Sequence, residues 1–201
     1  MSQSNFFAIL SRMKYVNRWG LMRNSRTESL SDHTLDVVFI SHALAVSANT
    51  YFGKHLDEGR ICTLAAFHDA PEIITGDMPT PVKYINPEMK RVYGRVEQGA
   101  RETMVNQLPE EMRPVYEAAL NAGAPQDAEL MRYVKAADKI SALIKCIEEE
   151  QSGNRDFEDA LKSTEEIIEK DFSDMPEVEF FLKNFLPGYY CTLDKQTKAD
   201  K

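Results

Sequence analysis

Residues 57–72 read DEGRICTLAAFHDAPE, and this stretch carries the helical period that decides the fold. Apolar residues and one histidine recur three or four positions apart, at Ile61, Leu64, Ala65 and His68. Pro71 follows, and proline ends or kinks a helix because it lacks an N–H group and crowds the carbonyl four residues back. The stretch therefore predicts a helix from Asp57 to about Ala70, with His68 and Asp69 in its last turn.

The same period runs through most of the remaining chain. It predicts a first helix from Phe6 to Val16 and further helices over residues 31–52, 86–104, 108–120, 127–150, 157–172 and 176–187. The sequence contains no alternating strand pattern, no internal repeat, no GxxxxGK phosphate loop and no GxSxG motif. The predicted fold is an all-α helical bundle forming one domain over residues 1–201. Its functional site should lie within residues 1–150, and residues 151–201 should supply packing helices and oligomer surface.

Composition excludes several classes of protein. A net charge of −8 repels polyanions, which argues against binding to a nucleic-acid polymer. No apolar run approaches the roughly 20 residues that a membrane span requires, and the N-terminal sequence MSQSN is polar. The three cysteines form no CxxC pair. We therefore expect a cytoplasmic protein that does not insert into a membrane.

Positive charge is concentrated before the first acidic residue, Glu28. Five cations precede it, namely Arg12, Lys14, Arg18, Arg23 and Arg26. Such a run is either a solvated helix face and loop or a local anion site for a small phosphorylated ligand.

Two histidines and two aspartates are candidate metal ligands. His33 lies on the apolar face of the second predicted helix, for which Ser31 is the predicted N-cap, and taken alone it could be a hydrogen-bonded core histidine. Asp138 lies one turn beyond Val134 in the predicted 127–150 helix, where a metal or an ion pair with Lys135 or Lys139 would satisfy it. Together with the adjacent His68 and Asp69, these side chains suit Mn²⁺, Co²⁺, Zn²⁺, Fe²⁺ or Ni²⁺.

The segment after the His68-Asp69 pair is rich in turn-forming residues. Residues 75–81 read TGDMPTP, which predicts an irregular segment that is either a plain connector or a binding loop. As a binding loop it would offer Asp77 and Thr80 as polar contacts. Glu72 follows His68 by four residues, close enough to act beside a metal without being a ligand.

The order His33, His68-Asp69, Asp138 in an all-α chain resembles the HD-domain metal-dependent phosphohydrolases. More narrowly, five segments resemble the bacterial 5′-deoxynucleotidases of the YfbR type. These are Phe6-Phe7, Arg18-Trp19, ESLSDH at 28–33, HDAPE at 68–72 and TGDMPTPVK at 75–83.

The resemblance implies a homodimeric enzyme that removes phosphate from deoxyribonucleoside 5′-monophosphates and discriminates against ribonucleotides. It implies one divalent transition metal, with Co²⁺ or Mn²⁺ expected before Zn²⁺, Ni²⁺ or Fe²⁺, held by His33, His68, Asp69 and Asp138. The implied catalytic residues are Glu72, for the attacking water or a proton, and Arg18, which clamps the phosphate. Trp19 would pack on the sugar, and the implied substrate contacts also include His33, Asp69, Asp77, Thr80 and Asp138.

Two other interpretations stay open. One is an HD-domain hydrolase that acts on a nucleoside triphosphate or an alarmone. The other is a metal- or nucleotide-binding module without enzymatic activity, which the intact ligand set and Glu72 disfavour.

Overall fold

The computed structural model describes residues 3–83, 85–121 and 123–198, without the side chains of Thr80 and Pro81. Within these ranges the regular elements are helices, and strand-like pairing is limited to one isolated antiparallel bridge between Asn17 and Ser29. The α-helices are α1 (Phe6–Leu10), α2 (Leu30–Tyr51), α3 (Glu58–Phe67), α4 (Glu72–Thr75), α5 (Thr80–Lys83), α6 (Pro87–Val105), α7 (Arg113–Leu120), α8 (Ala128–Gln151), α9 (Glu158–Phe172), α10 (Pro176–Asn184) and α11 (Leu193–Gln196). The prediction of an all-α fold is confirmed.

Three helices form the centre of the bundle. Helices α2, α3 and α8 pack on one another, and α9 and α10 cover α8 and α2. Their shared core is built from hydrophobic residues, among which Val37, Leu44, Ile61, Ile140 and Ile147 are each at most 1% exposed. A smaller core joins α1, α6 and α7 around Phe6, Met104 and Leu120. The two cores hold the N-terminal end of α2, the C-terminal end of α3 and the middle of α8 in a fixed relation.

The start of α2 differs from the prediction. Ser29, not Ser31, is the N-cap: its hydroxyl accepts a hydrogen bond from the Asp32 N–H, and the Asp32 carboxylate accepts one from the Ser29 N–H. This reciprocal capping box satisfies two N–H groups that a helix start leaves without partners. The helix therefore begins at Leu30, which is fully buried.

The predicted helix over 57–70 ends at Phe67, and residues 68–71 form turns before α4. Asp57 caps α3 by accepting a hydrogen bond from the Arg60 N–H. The segment predicted to be irregular is so only from Gly76 to Pro79, because short helices occupy its flanks.

In two helices, an apolar residue that continues the helical period is exposed instead of buried. Tyr51, at the end of α2, is 63% exposed and packs on the surface against the ring of Phe180. Val96 in α6 is half exposed, because α6 turns Tyr93, Ala100 and Met104 toward its neighbours. None of the described helices combines the length and apolarity needed to cross a membrane.

Candidate metal and substrate site

The ends of α2 and α3 and the middle of α8 bring three predicted ligands together. Among the described residues, one ligand atom from each of His33, His68 and Asp138 lies within 4.8 Å of the others. His33 Nε2 is 3.2 Å from Asp138 Oδ1. Residues far apart in the sequence thus converge on one point, as the family resemblance implied.

The second nitrogen of each imidazole is occupied by a protein partner. His68 Nδ1 lies 2.7 Å from the Ala65 carbonyl, which can only accept, so Nδ1 carries the proton. His33 Nδ1 lies 3.0 Å from the hydroxyl of Ser141. Both Nε2 atoms are buried and make no hydrogen bond of acceptable geometry to a described residue, although carboxylate oxygens of Asp69 and Asp138 lie close to them. An imidazole that is oriented through one nitrogen and bare at the other suits a metal ligand, so the residues present fit a divalent ion.

Asp69 adjoins this group. Its Oδ2 atom is 3.0 Å from His68 Nε2 and 3.6 Å from His33 Nε2. Burial alone would raise the pKa of Asp69, but the neighbouring His68 and His33 lower it well below the usual value. Burial likewise acts to lower the pKa of His68, and the Asp69 carboxylate reverses this and raises it to about 9. The fourth predicted ligand is therefore an ionised carboxylate at the edge of the cluster.

Asp138 forms the ion pair that was the alternative to metal binding, and it also lies beside His33. Its Oδ1 atom faces His33, while Oδ2 accepts a hydrogen bond from Lys139 Nζ at 3.0 Å. Burial acts to raise the pKa of Asp138, but the neighbouring His33 and the charge of Lys139 lower it. Lys135 is exposed. One carboxylate can thus face the metal position and hold an ion pair at once.

Arg18 is more buried than the other four N-terminal cations. Those four are exposed, as the solvated interpretation predicted, whereas the Arg18 side chain is 12% exposed. Its Nε donates to Glu28 Oε2 at 3.0 Å, and one terminal nitrogen lies 3.6 Å from Asp69 Oδ2. The guanidinium therefore lies beside the metal-ligand cluster, a position compatible with the anion-site interpretation.

Trp19 has a left-handed backbone conformation with φ of 57°, which costs an L residue about 1–2 kcal/mol. Its carbonyl accepts hydrogen bonds from the Met22 N–H at 2.9 Å and from the side-chain amide of Asn24 at 3.1 Å. Its indole N–H donates to Glu28 Oε2 at 3.1 Å. The indole also packs on Phe157, with ring centroids 5.3 Å apart. These contacts hold an unfavourable backbone conformation and fix the indole beside Arg18.

Two residues of α8, Lys145 and Glu149, form hydrogen bonds with the loop that carries Arg18 and Trp19. Glu149 is 1% exposed and accepts a hydrogen bond from the Ser25 N–H at 2.8 Å. It also accepts from Lys145 and from the amide of Asn154, and Lys145 donates to the Arg26 carbonyl. Burial acts to raise the pKa of Glu149, but these donors lower it to about 2.

Glu72 is buried next to the ligand cluster, and within the described part of the chain its Oε2 atom has no hydrogen-bond partner. Burial, with the charges of Asp69 and Asp77, raises the pKa of Glu72 to about 8. Lys83 Nζ lies 3.9 Å from Glu72 Oε1. Asp77 is half-buried, and its charge acts on both Glu72 and Arg18. The side chain of Thr80 lies outside the part of the chain that the structure describes.

Three residues at the site were assigned no role from the sequence. Glu28 accepts from both Arg18 and Trp19, Ser141 contacts His33, and Lys83 approaches Glu72. Each had a signal: Glu28 is the first acid after five cations, Ser141 lies one turn after Asp138, and Lys83 closes the 75–83 segment. None of these signals specifies a partner, because each contact depends on a loop conformation or on helix packing that the sequence pattern does not report.

Comparison with known proteins matches residues 5–189 to a family model described as 5′-deoxynucleotidase YfbR-like. The 5′-deoxynucleotidase YfbR of Escherichia coli is 42% identical over 195 residues, which cover 97% of this chain and 96% of that protein. A 5′-deoxynucleotidase of Enterobacter sp. strain 638 gives the same identity and coverage.

Two solved structures share the fold. An HD-domain phosphohydrolase from Listeria innocua superposes with a TM-score of 0.79 at 22% identity, covering 94% of this chain and 90% of that one. The HD phosphohydrolase DatZ of cyanophage S-2L, bound to dA and one catalytic Zn²⁺ ion, gives a TM-score of 0.63 at 20% identity, covering 90% of this chain and 95% of that one.

Proposed function

Because the chain belongs to the YfbR-like family of 5′-deoxynucleotidases, we propose that this site removes phosphate from deoxyribonucleoside 5′-monophosphates. The observation that carries the proposal is the pair of buried, unpartnered Nε2 atoms of His33 and His68 facing two carboxylates. Arg18 lies beside the same cluster, 3.6 Å from Asp69. A metal site and a phosphate clamp in contact are what a phosphomonoester hydrolase requires.

We assign metal binding to His33, His68, Asp69 and Asp138. A divalent ion held there supplies a Lewis acid that polarises a phosphoryl oxygen and lowers the pKa of bound water. Mixed imidazole and carboxylate donors favour Co²⁺ or Mn²⁺ over Mg²⁺, which prefers oxygen ligands. Zn²⁺, Ni²⁺ and Fe²⁺ also suit this donor set. His33, Asp69 and Asp138 also line the space where the phosphate would lie.

Arg18 is assigned to bind the phosphate. Its Nε is held by Glu28, which leaves the terminal nitrogens to donate to phosphoryl oxygens. Its planar fork of donors matches the geometry of a phosphate, and its charge is permanent. The surrounding carboxylates of Glu28 and Asp69 fix its orientation before substrate arrives.

Trp19 and Asp77 are assigned to the sugar. The fixed indole would leave no room, and no hydrogen-bond partner, for a 2′-hydroxyl. Asp77 would accept a hydrogen bond from the 3′-hydroxyl, with Thr80 beside it. The two residues approach from different segments, so the sugar would be held between them.

Glu72 is assigned to orient the attacking water or to relay a proton. It is buried beside Asp69, and one of its oxygens has no hydrogen-bond partner among the described residues. A free carboxyl oxygen next to the reaction centre suits general acid–base catalysis.

Phosphate release from paired deoxyribo- and ribonucleoside monophosphates, measured with each divalent ion, tests the proposal. We expect release from dAMP, dGMP and TMP and much slower release from AMP and GMP. Faster turnover of a nucleoside triphosphate or an alarmone would favour the alternative HD-domain substrates, and zero turnover with every ion would indicate a binding module.

We further propose a cytoplasmic homodimer, as the family resemblance implies. The tail exposes Phe185, Tyr190 and Leu193, an apolar surface that a second copy could cover. The three cysteines are free, which fits a reducing compartment. Sedimentation equilibrium would test the dimer.

A further inference from the structure

One oxygen of Glu28 accepts hydrogen bonds from two adjacent residues. Glu28 Oε2 lies 3.0 Å from Arg18 Nε and 3.1 Å from Trp19 Nε1. The side chains of Glu28 and Arg18 are 11% and 12% exposed, so water has little access to replace either bond. Arg18 is assigned to the phosphate and Trp19 to the sugar. Both side chains therefore depend on a single acceptor, Glu28 Oε2.

The backbone fixes where this acceptor lies. The Arg18 N–H donates to the Glu28 carbonyl at 3.0 Å, and the Leu30 N–H donates to the Val16 carbonyl at 2.7 Å. These bonds flank the bridge between Asn17 and Ser29, which ties the two ends of the loop together. Since Ser29 also caps α2, the position of Glu28 is set by the same helix start that carries His33.

We propose that Glu28 is a positioning residue that holds Arg18 and Trp19 in one fixed arrangement, so that phosphate binding and selection against the 2′-hydroxyl are set together. This inference rests on the proposed function, because it takes the roles of Arg18 and Trp19 from there. Without the Glu28 carboxylate, Arg18 would lose its partner at Nε and be drawn toward Asp69, 3.6 Å away. Trp19 would lose the hydrogen bond that orients its ring.

Two substitutions at this position separate the acceptor from its charge. Glu28→Met keeps the length of the side chain and removes the acceptor, whereas Glu28→Gln keeps a neutral oxygen that can accept both bonds. We expect Glu28→Met to lower kcat/KM for dAMP by about 10-fold to 100-fold, as for loss of a hydrogen bond to a charged group. The ratio of kcat/KM for dAMP to that for AMP should fall by about fivefold or more. Glu28→Gln should recover part of both losses. Glu111→Met, the same substitution at an exposed glutamate far along the chain, is the matched control.

Trp19 is the single tryptophan of the chain, so its fluorescence reports its position without substrate. In Glu28→Met the indole should become more accessible to acrylamide, with a larger quenching constant than in the wild type and in Glu111→Met. The quenching constant of Glu28→Gln should lie between those of the wild type and Glu28→Met. Circular dichroism and urea unfolding would confirm that each variant is folded.

An unchanged dAMP to AMP ratio in folded Glu28→Met, or unchanged acrylamide quenching, would overturn the proposal. A fall in kcat/KM for dAMP without a change in the ratio would also overturn it, because Glu28 would then serve Arg18 alone. Absence of phosphate release from the wild type would contradict the proposed function instead, and the quenching comparison would still decide whether Glu28 positions Trp19.

Discussion

Replacing Arg18 by alanine tests the phosphate clamp. The Arg18 side chain is largely buried, its Nε is committed to Glu28, and a terminal nitrogen lies near Asp69 beside the metal ligands. The terminal nitrogens can give a phosphate two charge-assisted hydrogen bonds, each worth about 1.5–3 kcal/mol. Loss of about 3–6 kcal/mol corresponds to a fall in kcat/KM of about two to four orders of magnitude.

The fold should tolerate this change. Glu28 keeps its second donor, Trp19 Nε1, so the substitution does not leave that carboxylate unpartnered. The carboxylate of Asp69 loses a neighbouring cation, which should not weaken metal binding. Arg18→Lys should recover only part of the loss, since an ammonium group cannot reproduce a planar fork of donors.

The assay is phosphate release from dAMP as a function of concentration, with metal content and circular dichroism measured on each variant. Arg12→Ala is the matched control, because Arg12 belongs to the same cationic stretch but is exposed. If Arg18→Ala stays within about threefold of the wild type at equal metal content, Arg18 does not bind the phosphate.

Three further predictions concern the metal, the sugar and the loop anchor. Chelation should abolish phosphate release, and Co²⁺ or Mn²⁺ should restore it better than Mg²⁺; activity that survives with no metal in the protein would refute the ligand assignment. Trp19→Ala should narrow the ratio of kcat/KM for dAMP and AMP, chiefly by admitting AMP; an unchanged ratio would make Trp19 a packing residue. Glu149→Met should lower the free energy of unfolding at neutral pH by about 3 kcal/mol, because it leaves the buried Lys145 ammonium group without a carboxylate partner. Since folding lowers the Glu149 pKa from 4.5 to about 2, this contribution is complete above pH 4.5 and is lost as the pH falls toward 2, so urea unfolding curves of the wild type and the variant should converge on acidification.

Sequence patterns predicted the fold well where apolar residues repeat at the helical period. The 127–150 prediction matches α8 (Ala128–Gln151) to within one residue, and Asn86 caps α6 as expected. Errors occurred at helix ends. A capping box starts α2 at Leu30, before the predicted N-cap Ser31, and Tyr51 continues the apolar period of α2 although its side chain is exposed. Local hydrogen bonds decide such boundaries, and periodicity does not report them.

The candidate site was predicted in its composition but not in its supporting contacts. The helical pattern left His33 and Asp138 with alternative explanations, a core histidine and an ion pair, and only the family resemblance favoured them as metal ligands. Ser141 meets His33 because α2 and α8 pack on each other. Glu28 meets Arg18 and Trp19 within one loop, whose path is set by its own hydrogen bonds. A single sequence determines neither the helix packing nor the path of the loop.

Metal titration into chelated protein tests the central claim most directly, with phosphate release from dAMP and from AMP followed at each step. If the site is a metal-dependent 5′-deoxynucleotidase, phosphate release from dAMP should rise with bound metal and saturate at one ion per chain. Phosphate release from AMP should stay far lower. Release from dAMP without bound metal, or equal release from the two nucleotides, would contradict it.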